Sequence, residues 1–75
     1  MTLNQLKIGQ KGMIIAVSKE SLLKQRLGDM GIAPQTAIEC ELESPWKNPK
    51  AYRVKEALIA IRNEDARSIE VILDE

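Results

Sequence analysis

This chain contains no histidine and no phenylalanine, a single cysteine, and only two aromatic residues, Trp46 and Tyr52. Each shortage removes a class of chemistry. Without histidine there is no side chain that titrates near neutral pH to serve as a general base, and no imidazole for a metal. Cys40 stands alone, so it neither closes a disulfide within the chain nor pairs with a second thiolate around zinc. An unpaired cysteine fits a reducing compartment, and Cys40 reads as a small core residue. Lysine plus arginine equals aspartate plus glutamate at eleven each, so the formal net charge is zero, and no broad cationic field draws in a phosphate backbone. No apolar run approaches the ~20 residues that span a membrane, and the N-terminus lacks the charged-then-apolar pattern of a signal peptide. A soluble, cytoplasmic protein is expected. No nucleophile–base pair, glycine-rich phosphate cradle or EF-hand spacing is present, so neither catalysis nor a resident cofactor or metal is expected.

What remains is a small chain of 75 residues, read as one domain over 1–75 with little core to spare; a domain this short buries only about 60% of its unfolded surface. Its organising stretch is Arg26-Leu27-Gly28-Asp29-Met30-Gly31, followed by Ile32-Ala33-Pro34, where helical spacing gives way to strand alternation. Leu23, Leu27 and Met30 recur at i, i+4 and i+7, the stripe of a docked helix. Gly31 then supplies a left-handed residue to close it, and Pro34 prevents it from resuming. Gly28 inside the helix costs ~1 kcal/mol, which points to a close backbone approach or an early end.

Taken in order, Leu3 and Leu6 pack from a helical turn or an arm, and Gly9 and Gly12 turn into a strand over Met13–Val17 that is apolar on both faces and so expected to be covered on both. Ser18 caps a helix over about Lys19–Met30, with Leu22, Leu23, Leu27 and Met30 inward, and Arg26 pairs weakly with Asp29. From Ile38 the period becomes two: Ile38, Cys40 and Leu42 face in, while Glu39, Glu41 and Glu43 form a wet acidic face. Pro45 and Pro49 bracket a loop carrying Trp46. Strand three covers about Lys50–Lys55 with Tyr52 and Val54 on one side, and a tight turn leads to Leu58–Ile61. Asn63 caps a single helical turn, and Ser68–Leu73 is the last strand, with Ile69, Val71 and Leu73 inward while Asp74 and Glu75 fray. Short connections force antiparallel neighbours, and five strands with little helical cover must curl on themselves. The fold class is mainly β: a small five-stranded SH3-like barrel, with one short helix between the first two strands and a one-turn helix before the last.

With this order laid out, the chain resembles the ferrous iron transport protein A (FeoA) family of small SH3-like proteins. The resemblance rests on Leu6, Gly9 and Gly12, the Arg26–Pro34 stretch, the Ser44-Pro45 loop closed by Pro49, Arg53-Val54, and Leu58-Ile59-Ala60-Ile61-Arg62 before Glu64-Asp65-Ala66. The family has glycine where Gln35 and Glu56 stand and glycine-aspartate where Lys47-Asn48 stand, which puts the turn types at 35 and 56 in question and changes the charge of the loop. What the resemblance implies is a cytoplasmic accessory of ferrous iron uptake, not an enzyme, that binds a membrane iron transporter bearing a cytosolic GTP-binding domain (FeoB-type) and is drawn to the inner membrane through it.

The partner-binding candidates are Trp46, Lys47 and Pro49 on the loop, and Arg26 and Met30 on the helix. Trp46 suits an interface anchor, but folding back as a lid over the barrel end is an equal alternative, and for Met30 core packing is the favoured reading. Two other classes stay open: a nucleic-acid-binding barrel built around Gly9–Val17, and a metal-sensing domain holding a hard cation at Glu39, Glu41 and Glu43.

Overall fold

The computed structural model describes residues 1–18 and 21–74, with backbone alone for 21–23. A 3-10 turn over Leu3–Gln5 precedes β1 (Lys11–Val17), α1 (Ser21–Asp29), β2 (Ala37–Glu43), β3 (Lys50–Val54), β4 (Ala57–Ile61), α2 (Asn63–Ala66) and β5 (Ile69–Asp74). All five strands form one antiparallel sheet in the order β4-β3-β2-β1-β5, curled as the expected SH3-like barrel.

The interior is aliphatic. Leu3, Leu6, Ile14, Leu27, Ile38, Val54, Ile69 and Val71 are buried with Cys40 and Tyr52. Leu3 and Leu6 enter from the 3-10 turn, as expected. The end of α1 explains why the chain changes direction where it does. Gly31 has φ +87°, its N–H donates to the Gly28 carbonyl at 3.0 Å, and the Ile32 N–H donates to the Leu27 carbonyl at 2.9 Å. This is a Schellman closure, with Leu27 and Ile32 buried as its apolar pair. Nothing lies within 4 Å of a Cβ built on Gly28, so no backbone approaches it; α1 simply ends at the next residue. The expected start at Lys19, which Ser18 would cap, and the side chains of Leu22 and Leu23 fall outside what is described.

Several expectations need correction. The recorded ion pairs among the described residues are Arg53–Glu41 and Met1–Glu70, so Arg26 and Asp29 do not pair. β1 is internal to the sheet but covered on one face only: Met13 and Ile15 are exposed. Leu42 is exposed as well, because the β2–β3 register shifts between Cys40 and Leu42; one extra residue in a strand turns the next side chain to the other face. Met30, expected inward, is exposed beyond the last turn of α1. The cap of α2 is Arg62 rather than Asn63. Asp74 is paired with Lys11 within β5 rather than frayed.

The turns at 35 and 56, left in question by the sequence, are settled by the backbone. Gln35 takes φ 71° and Lys55 φ 57°. The Pro34-Gln35 turn therefore adopts the left-handed conformation without glycine, and in the β3–β4 hairpin that conformation falls on Lys55, one residue before Glu56.

Candidate functional site

The loop between β2 and β3 is built by its own hydrogen bonds. The Lys47 N–H donates to the Ser44 carbonyl at 2.8 Å, closing a turn with Pro45 and Trp46 at its centre, and Lys47 leaves that turn with φ 64°. The Ser44 N–H donates to the Pro49 carbonyl at 3.2 Å, and the Ser44 Oγ accepts from the Asn48 N–H at 3.0 Å. The loop is also tied to α2. The Asn63 N–H donates to Asn48 Oδ1 at 3.0 Å, and Asn63 Nδ2 donates to the Lys47 carbonyl at 3.2 Å. That contact uses the Asn63 amide that the sequence reading assigned to a cap.

At the apex Trp46 is 85% exposed. A lid would be covered by the barrel it closes, so the lid alternative does not describe this side chain. Lys47 and Pro49 are exposed beside it. Asn48 and Pro49 share a shallow depression with Arg62 and Glu64.

Behind the loop, Lys50 points inward. Its Nζ donates to the Asn4 carbonyl at 2.7 Å and the Leu6 carbonyl at 3.1 Å, with 8% of the residue exposed. The ammonium thus holds the N-terminal turn against the start of β3. Nothing in the lysine-rich loop sequence separates Lys50 from Lys47; only the strand alternation with Tyr52 and Val54 puts it on the inner face. Nearby, burial pushes the Cys40 thiol up from its ordinary value and the Tyr52 hydroxyl far above the usual phenol range. A protonated, enclosed thiol is a poor nucleophile and a poor metal ligand.

Arg26 and Met30 are exposed too, but they belong to a different region. Lys55 Nζ lies 4.0 Å from the position of a Cβ on Gly31, which sets the end of α1 beside the β3–β4 turn. Trp46 sits beyond the other end of β3, about 16 Å along the strand. The candidates therefore form a loop tip and a separate helix end, not one patch.

The acidic face of β2 is likewise divided. Arg53 engages Glu41 through two hydrogen bonds, Nε to Oε2 at 2.8 Å and Nη2 to Oε1 at 2.9 Å. Among the described residues no three His, Cys, Asp or Glu side chains gather as metal ligands do. The exposed apolar residues Met13, Ile15, Leu42, Leu58 and Ile72 have no signal in the sequence: the register shift in β2 turns Leu42 outward, and the other four alternate with inward neighbours onto the uncovered face of the sheet.

Comparison with known proteins agrees with this architecture. The FeoA domain family matches residues 1–73. A putative Fe(2+) transport protein A of Campylobacter jejuni is 32% identical over 74 residues, which cover 97% of this chain and 99% of that protein. An Fe(2+) transport protein A/Fe(2+) transporter FeoB fusion protein of Porphyromonas gingivalis is 30% identical over 73 residues, 97% of this chain but only 9% of the fusion. A FeoA-like protein from Clostridium acetobutylicum, solved by NMR, superposes with a TM-score of 0.90 at 30% identity, covering 97% of this chain and 85% of that one. No described helix is long and apolar enough to cross a membrane. Over nearly its whole length, this chain belongs to the FeoA domain family, which is involved in Fe(2+) transport.

Proposed function

We propose that this protein is a non-enzymatic, cytoplasmic accessory of ferrous iron uptake that acts by binding the cytosolic GTP-binding region of a FeoB-type membrane transporter. The observation that carries the reading is Trp46, an almost fully exposed tryptophan on a loop braced from within and from α2. A large aromatic that is already oriented loses little entropy on docking and suits a hot spot. Lys47 gives the tip positive charge, which favours an apolar pocket rimmed by acidic groups. The fusion of the two units in the Porphyromonas gingivalis protein supports association of the separate chains. Pro49 belongs to the same tip, whereas Arg26 and Met30 offer a second contact at the end of α1.

A pull-down with the purified cytosolic region tests the reading. Retention of this protein on that region supports it, and flow-through with a folded partner overturns it. The nucleic-acid alternative has little support in a neutral chain with one exposed aromatic. Direct metal sensing would need the ligand cluster that the described residues do not assemble.

A further inference from the structure

The outer edge of β4 has no partner among the described residues, since the sheet ends there. Edge strands are normally protected by a central lysine, a proline, a bulge or a cover. β4 reads Ala57-Leu58-Ile59-Ala60-Ile61, without charge or proline, and it pairs with β3 in unbroken register. Ala57, Leu58 and Ala60 are exposed, and Ile59 is half-buried.

The register decides which backbone groups are free. Val54 and Ala57 flank the two-residue turn as partners, so they form a hydrogen-bonded pair, and Tyr52–Ile59 and Lys50–Ile61 follow as the next such pairs. Leu58 and Ala60 therefore direct their N–H and C=O groups outward. An antiparallel second strand centred on Ile59 would set Leu58 against Ala60 and Ala60 against Leu58, outward groups meeting outward groups. The same register sets Glu56 against Arg62 at both ends. Both residues are exposed, and their charges are opposite.

We propose that the β4 edge pairs with β4 of a second copy of this chain, antiparallel about Ile59, with Glu56 and Arg62 as reciprocal charge clasps. The two sheets would become continuous across a two-fold axis, and Leu58 and Ile59 would gain apolar neighbours. The inference does not depend on the transport reading. A single short strand pair buries little area, which places self-association between about 10 μM and about 1 mM.

Sedimentation across that concentration range tests it. The mass of the native protein is expected to rise from 8.4 kDa toward twice that value. Glu56→Arg sets like charges together at both clasps and is expected to weaken association about ten-fold; adding Arg62→Glu restores it. Ala60→Pro removes an outward donor without touching the β3 ladder and is expected to leave a folded monomer. Native protein that stays monomeric throughout overturns the proposal, as does association indifferent to both charge variants. If β4 amides become protected only when the transporter's cytosolic region is added, the occupant is a partner strand, and the second-copy proposal fails.

Discussion

Arg53 on β3 holds Glu41 on β2 in a two-point grip at 2.8 and 2.9 Å, across the place where the β2–β3 register shifts. The pair gives the irregularity a defined partner. Its hydrogen bonds, with the guanidinium charge adding to them against desolvation, hold the Glu41 carboxyl below its ordinary value.

A carboxyl whose pKa is lower folded than unfolded contributes stability above its unfolded pKa, about 4.3, and loses that contribution as pH falls through its folded value. Arg53→Gln is therefore expected to destabilise more at pH 7 than at pH 3. Denaturant melts at the two pH values check this, and an equal loss at both would contradict it.

Gly31→Val is expected to cost more than ~1 kcal/mol, because a β-branched residue at φ +87° opposes the left-handed closure of α1. Gln35→Gly, at φ 71°, is expected to cost nothing or to raise the melting temperature. Thermal melts of both variants distinguish left-handed strain from a general intolerance of change in this segment.

Lys50→Met keeps the length of the stem but withdraws the ammonium from the Asn4 and Leu6 carbonyls. Leaving buried acceptors unsatisfied costs about 1–3 kcal/mol. Hydrogen exchange should show the N-terminal turn opening more readily, whereas unchanged protection at Leu6 would mean that Lys50 does not hold it.

Much of the barrel was legible in the sequence because its signals are local. Gly31 follows an apolar stripe and takes the backbone only glycine adopts cheaply; Ile69, Val71 and Leu73 alternate without interruption. The exceptions arise from relationships between strands. Leu42 continues a clean alternation from Ile38 and Cys40, but the register shift that turns it outward exists only against β3. Met13 and Ile15 look as apolar as Ile14, and nothing local says that one sheet face lacks a cover. Lys50 reads as a surface charge until the strand phase places it inside. At the candidate site, the proline bracket identified the loop, yet the choice between anchor and lid for Trp46 needed its position in space. The contact from Asn63 joins segments far apart in the chain and has no local signature.

The central claim is that Trp46 is a working surface rather than part of the fold, and one variant addresses it. Trp46→Ala should melt within about 1 °C of the native protein, since surface changes away from special features cost little. Titration into the transporter's cytosolic GTP-binding region should show affinity lowered about ten- to thirty-fold, equivalent to ~1.4–2 kcal/mol. A folded Trp46→Ala protein that binds this region as tightly as the native chain would contradict the account.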